Sequence, residues 1–361
     1  MKGKFFILLV FFFFFISISL SKNVPYWIEY ENTLYGAKSG NLGLIGGGND
    51  YENIIDNGDY IAKDLDGLLD ALSKAKQGDI VFIPDETIID LTTRIFIEKL
   101  IIKVPEGVTL AGNRGQRGSQ GALLSSDALD TPVMILANGP NVRVTGIRIK
   151  GPNQKKHLEH HNRSFGALGK GRDYYYKFPY SRGIQTEYPN LEVDNCEIYG
   201  FSHAGIYLIN GNGHHIHHNF IHHCQYNGLG YGICHNKSES LIEYNLFNWN
   251  RHSIAGTGKS GSGYIARNNI QKGESLSHCF DMHGGRDRGD GTKIAGSVIK
   301  IHNNTFLSEK PSVVIRGIPE IRCDVYHNWF KKHTNQIEAV KAQKNTFINK
   351  NLYGTTIKKV K

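Results

Sequence analysis

Two short clusters hold most of the residues able to move a proton beside a charge: Arg251-His252 and Asp281-Met282-His283-Gly284-Gly285-Arg286. Near them in the chain stand Tyr231, Lys259 and Arg316. Imidazole and phenol groups act as general acids and bases, while guanidinium and ammonium groups stabilise developing negative charge. Together they suit removal of a proton from a carbon next to a carboxylate, with a cation on the carboxylate and an acid for the leaving oxygen. On this reading His252 or Tyr231 transfers the proton, and Arg251, Lys259 or Arg316 neutralises the carboxylate. His283 binds substrate with Arg286 and Arg288, and Arg182, His235, Arg251, His278 and Asp281 add further contacts. Asp281, Asp287 and Asp290 could give oxygens to Ca2+, though their spacing matches no EF-hand.

These residues span more than a hundred positions, so a repeating element must bring them together. The fragments HHNFI, EYNLF, ARNNI, IHNNTF and YHNWF recur from Gly205 to Phe330. Their asparagines, Asn219, Asn245, Asn268, Asn304 and Asn328, are spaced 26, 23, 36 and 24 apart, and the long interval holds a Gly-rich insertion at 284–296. A short unit that cannot bury its own apolar face, repeated at this period, predicts a solenoid. Asn suits its sharp turn because it tolerates a left-handed backbone and bonds neighbouring peptides, and stacked Asn side chains can bond one another. The fold expected is all-β: a single-stranded parallel β-helix with an Asn ladder.

Rungs of such a coil lie roughly 4.8 Å apart, so equivalent positions form ladders. Alignment through Ile184, Ile206, Ile233, Ile254, Phe280 and Val314 places Arg182, Ala204, Tyr231, His252, His278 and Ser312 two residues earlier. One residue later come Gln185, Tyr207, Cys234, Ala255, Asp281 and Ile315, and two later Thr186, Leu208, His235, Gly256, Met282 and Arg316. Large polar residues beside Gly and Ala predict a groove.

The remaining chain sets the context. Lys2 and Lys4 precede an almost wholly apolar run, Phe5 to Leu20, which reads as a secretory leader over residues 1–21 and is short for a membrane span. Its removal takes the formal charge from +9 to +7, a basic balance that points to an acidic partner such as an anionic polysaccharide rather than nucleic acid or membrane. A monomer is expected. Residues 22–60 read as an irregular lead-in. A helix starting at the N-cap Asp64 carries Leu65, Leu68, Leu69, Leu72 and Ala75 at helical spacing and would plug the open end of the coil. Short strands follow at Ile95–Ile97, Leu100–Ile102 and Val108–Leu110, and the coil is expected over 61–350, with a basic tail at 351–361. The insertion 152–181 mixes lysines and arginines with Tyr174, Tyr175 and Tyr176 and predicts a clamp for a sugar acid. Five cysteines without a CxxC pair predict buried thiols. GTGKS at 256–260 lacks the first glycine of a phosphate loop and precedes a strand. The tract His214, His215, His217, His218, His222 and His223 could bind metal, and Asn162, Asn236 and Asn303 lie in glycosylation sequons.

The segments NWNRHSIAGTG, IKIHNNTF and VVIRGIPEIRCDVYHNWF resemble the pectate-lyase superfamily of secreted right-handed β-helices. At motif level the resemblance covers 245–330. Arg316-Gly317-Ile318-Pro319-Glu320-Ile321-Arg322 has one residue too many for the Arg-x-Pro-x-x-Arg motif of pectate lyase proper, and that family's calcium-binding Asp cluster is not visible. The resemblance implies a right-handed coil and cleavage of a uronate polysaccharide by β-elimination. It would equally allow Lys259 and Arg316 as the base and the charge-neutralising group. C5-epimerisation, glycoside hydrolysis and non-catalytic carbohydrate binding on the same scaffold stay open.

Overall fold

The computed structural model describes residues 25–167 and 169–354, so the leader-like stretch 1–21 and most of the basic tail lie outside the described residues. Each turn of the coil visits three parallel stacks in a fixed order. The first stack contains Ile102–Pro105, Ile135–Asn138, Arg182–Thr186, His252–Gly256, Phe280–Met282 and Val313–Ile315. The second contains Ile80–Phe82, Thr109–Ala111, Arg143–Thr145, Glu192–Asp194, Gly263–Arg267, Val298–His302 and Arg322–Tyr326. The third is a separate ten-stranded sheet running from Ile88–Asp90 to Leu352–Tyr353. The long strands Ala204–His217 and Tyr231–Glu243 serve both the first and the second stack.

Alternation of side chains sends every second residue inward. Ile184, Ile206, Ile233, Ile254, Phe280 and Val313 pair in one column and are fully buried. The aligned residue on the last of these rungs is therefore Val313 and not Val314, which shifts that rung by one: Asp281 pairs with Val314 and Met282 with Ile315. Phe280, Phe306 and Phe330 continue the core as stacked rings with centroids 4.9 and 5.1 Å apart.

The Asn ladder stands at the turn between the second and third stacks. Asn219, Asn245, Asn269, Asn304, Asn328 and Asn351 bond in series, each side-chain oxygen from Asn245 onward accepting from the backbone and side-chain nitrogens of the Asn one rung back. Asn269, and not Asn268, occupies the ladder. The left-handed backbone belongs to the residue before each ladder Asn: His218, Tyr244, Asn268, Asn303, His327 and Lys350 all have φ between 45° and 55°. The ladder Asn is selected for its two-sided hydrogen bonding.

The helix Leu65–Lys74 starts at Asp64, whose carboxylate accepts from the Gly67 amide, and buries Leu68, Ala71 and Leu72 against the first rungs. Three segments differ from expectation. Ile95–Ile97 lies in a helix, Thr92–Glu98, that buries Ile95 and leaves Phe96 and Ile97 exposed. The lead-in is ordered: a hairpin, Trp27–Tyr30 with Thr33–Gly36, continues as a strap down the ladder turn. Along it Gly36 donates to the His327 carbonyl, Gly46 to that of Tyr244 and Gly48 to the Asn195 side chain. The strap also takes a hydrogen bond from Asn303, which turns that sequon side chain to Leu34. The insertion forms helices Leu158–Phe165 and Arg172–Tyr175. Its rings pack on one another and on Tyr226, with Tyr175 buried; of its cations, Lys170 and Arg172 lie over its own Tyr174 and Tyr176, Arg163 pairs with Glu159, and Lys156 lies over Trp249. Tyr175 is thereby taken into the protein, while Tyr176 and the cations Lys155, Arg163, Lys170, Arg172 and Lys177 stay exposed. All five cysteines are buried, and no helix of the described residues is long and apolar enough to cross a membrane.

Candidate active site

Asp281 is the centre of the outward face of the first stack. Its pair on the rung below is set by Ala255, a small floor, and the carboxylate has no exposed surface. Arg316 grips it bidentately, with Nε 2.9 Å from Oδ1 and Nη2 on Oδ2. His283 Nε2 lies 3.0 Å from Oδ2, His278 Nε2 3.2 Å from Oδ1 and His252 Nε2 3.9 Å from Oδ2. The one-residue shift at Val313 is what carries Arg316 here, beside His283 rather than Met282. Burial pushes the Asp281 carboxyl upward, but His283 and His278 around it, with the Arg316 ion pair, hold it well below the usual carboxylate range. The close passage of the turn behind it requires glycine: Gly258 has φ +72°, and a Cβ there would meet the His283 carbonyl.

Tyr231 sits two rungs back from Asp281, buried, its ring nearly parallel to that of His252 on the rung between them at 5.8 Å and edge-on to His283 at 6.3 Å. Burial pushes its phenol up to about 12, so the hydroxyl keeps its proton at neutral pH. Burial and the neighbouring Arg251 drive His252 well below an ordinary imidazole, so it is neutral. Arg251 lies over the Tyr231 ring at 5.9 Å and donates to the Leu229 carbonyl.

Further down the face Arg182 is sandwiched by Tyr180 and Tyr207 at 4.9 and 4.8 Å, and donates to His203 Nδ1 and Gln185. Burial and Arg182 push the His203 imidazole down to about 3, so Arg182 keeps its positive charge beside a neutral partner. His203 in turn meets Tyr231 at 5.9 Å, which makes one continuous surface from Arg182 to Arg316. Among the described residues neither Arg182 nor Arg251 has a carboxylate partner, whereas Arg316 spends its charge on Asp281 and, through Nη1 at 3.0 Å, on Asp287.

Of the residues singled out in the sequence, the structure gathers Arg182, Tyr231, Arg251, His252, His278, Asp281, His283 and Arg316. Four go elsewhere. His235 points inward, as alternation demands two residues after Ile233. It is fully buried and bonded to the Ala255 carbonyl and Ser240. Arg288 secures the 284–296 loop through the Thr257 and Ile294 carbonyls and Asp290. Lys259 is exposed in the loop after His252–Gly256, and Arg286 is exposed on the short helix Gly285–Arg288. The proposed Ca2+ oxygens do not converge either, since Asp281 and Asp287 pair with Arg316 while Asp290 pairs with Arg288. Three residues of the His tract face Glu partners, His215 with Glu243, His217 with Glu192 and His222 with Glu197, while His214 bonds backbone and His218 and His223 face the neighbouring histidines. Sequence reasoning passed over His203, Tyr180 and, as a site residue, Tyr207. The signal for Tyr207 was its place in the same column as Asp281.

Residues 182–352 match the family model described as right handed beta helix region. The chain is similar to the family 28 exopolygalacturonase of Yersinia enterocolitica, with 15% identity, a TM-score of 0.51, and coverage of 84% of this chain and 63% of that one. It thus spans less than two thirds of that protein's length. An alginate lyase from a Paenibacillus species (13% identity, TM-score 0.40, 81% and 97% covered) and the A-module of an Azotobacter vinelandii mannuronan C-5 epimerase (11%, 0.30, 82% and 99%) are more distant. Comparison with curated proteins finds no match. Likeness at these identities establishes the fold: the molecule is a right-handed parallel β-helix.

Proposed function

We propose that this is a secreted enzyme that cleaves an anionic, uronate-containing polysaccharide by β-elimination along the Arg182–Arg316 face. The observation that carries the reading is the grouping of a protonated Tyr231 with His283 and the carboxylate-free cations Arg251 and Arg182. Arg251 would meet the substrate carboxylate and stabilise the charge that develops on it. With Nε2 turned to Asp281, His283 has Nδ1 left to take the C5 proton. The C5–H electron pair forms the C4=C5 double bond, the C4–O4 bond breaks, and Tyr231 gives its proton to O4. A proton passing from the imidazolium to the phenolate resets the pair. Tyr180 and Tyr207 supply ring faces for a neighbouring sugar.

Hydrolysis is disfavoured on the same geometry. It needs two carboxyl groups flanking the bond, and here Asp281 and Asp287 are both tied to Arg316. The test is incubation with polygalacturonate, alginate and glycosaminoglycans, following the ultraviolet absorbance of the unsaturated product and the reducing ends together. The two should rise in parallel on at least one polymer and fall together in Tyr231→Phe. Reducing ends without absorbance would favour a hydrolase, and an altered sugar ratio without cleavage an epimerase.

A further inference from the structure

We infer that His252, His278 and Asp281 form a binding site for one divalent transition-metal cation of the Zn2+, Co2+ or Ni2+ kind. One ligand atom from each of the three lies within 4.8 Å of the other two. The Nε2 atoms of His252 and His278 are buried and have no hydrogen-bond partner. For His252 the tautomer is fixed: Nδ1 lies 2.6 Å from the His278 carbonyl oxygen and must donate to it. In the neutral imidazole, the Nε2 of this fully buried ring is then a lone pair facing the Asp281 carboxylate 3.9 Å away. Lone pair against carboxylate is repulsive, and a buried acceptor without a donor is destabilising. A cation between the two groups converts that repulsion into two bonds.

The surroundings are those of a ligand set. An imidazole whose second nitrogen donates to a backbone carbonyl is held in the orientation metal ligation requires. The rings of His252 and His278 are stacked at 3.9 Å, which keeps their nitrogens side by side. Two imidazoles and one carboxylate suit zinc-like ions, and offer too few oxygens for Ca2+. A protonated His278 bonding Asp281 directly would account for one of the nitrogens and leave that of His252 still unpaired. Glu192, His215 and His217 form a second close group, but there the Nε2 atoms of both histidines already face Glu243 and Glu192, and His217 Nδ1 faces His218.

Three protein ligands leave a coordination position for another oxygen, the layout of a catalytic rather than a structural site. Beside Tyr231, such a cation would add to Arg251 in drawing charge from a bound carboxylate. That role rests on the elimination reading; the binding itself does not.

The full chain, stripped with a chelator and dialysed, is titrated with Co2+ while its visible d–d absorption is recorded, and Zn2+ content is measured by plasma emission. One equivalent of metal is expected, with a Co2+ band that His252→Asn and His278→Asn each abolish and His215→Asn leaves intact. Circular dichroism and thermal unfolding establish that each variant is folded. No bound metal in stripped and reloaded wild-type protein that unfolds like the untreated sample overturns the proposal, as does a band that follows His215→Asn. Metal binding without unsaturated product would sink the elimination reading and leave the site standing. Unsaturated product from metal-free protein that takes up no Co2+ would do the reverse.

Discussion

Tyr231 and Glu243 show two ways in which burial acts on single ionisable groups. Tyr231 loses solvent without gaining a carboxylate or a strong cation in hydrogen-bond reach, so its proton is held more tightly. Replacing it with Phe keeps the ring stack on His252 and removes only the hydroxyl; kcat is expected to fall about 10²–10⁴-fold, with thermal unfolding shifted little. Equal loss in kcat and in thermal stability would instead mark a packing residue. For Glu243 burial raises the carboxyl, but hydrogen bonds from His215 and Arg267 outweigh it and hold it at about 2. Because the folded value lies below the unfolded one, this stabilisation is complete above about pH 4.5 and is lost as pH falls toward 2. Glu243→Gln should therefore cost ~1–2 kcal/mol near neutral pH, with the gap from wild type closing in acid. A constant gap across denaturant titrations at several pH values would refute that assignment.

At the scale of the element, the ladder turn does most to fix one rung over the next. The Asn269 side chain bonds Asn304 and the Ile242 and Arg267 carbonyls, and accepts from the backbone and side chain of Asn245. Asn269→Ala leaves several buried groups unpaired at ~1–3 kcal/mol each and should lower stability by about 2–4 kcal/mol. Asn268→Ala, at the left-handed position outside the ladder, should cost less. Reversed ranks in chemical denaturation would contradict the register. The same pair shows what was legible in the sequence. Period, coil, capping helix and five of the six aligned apolar residues could be read from spacing alone. Both slips fell where neighbours are identical, Asn268-Asn269 and Val313-Val314, because type and period cannot separate two equal residues. The second slip placed Arg316 beside Met282, whereas the register sets it beside His283, from where its side chain grips Asp281, and the slip hid the fact that this cation is already neutralised. The third aligned column, with His235, was taken for surface although alternation sends it into the core. The aromatic insertion was legible only in part: composition cannot tell an exposed ring such as Tyr176 from Tyr175, which is buried against Tyr226.

Across the whole molecule, the N-terminal strap runs along the ladder turn, and the insertion packs on Tyr226 just before the first-stack strand that carries Tyr231. The strap is anchored where Tyr51 bonds Asp194, itself bound by Arg143 and Thr145. Removing residues 25–51 should lower the melting temperature while leaving far-ultraviolet circular dichroism largely of β type, whereas an unchanged melting temperature would show the strap to be dispensable. With a formal charge of +9, the chain should bind acidic polymers less tightly as salt is raised. The most direct test of the chemistry assigned to the Arg182–Arg316 face is to digest a uronate polymer in water labelled with heavy oxygen and weigh the products. Elimination predicts unsaturated ends with no label at the new reducing end; label incorporated there, without unsaturation, would contradict it.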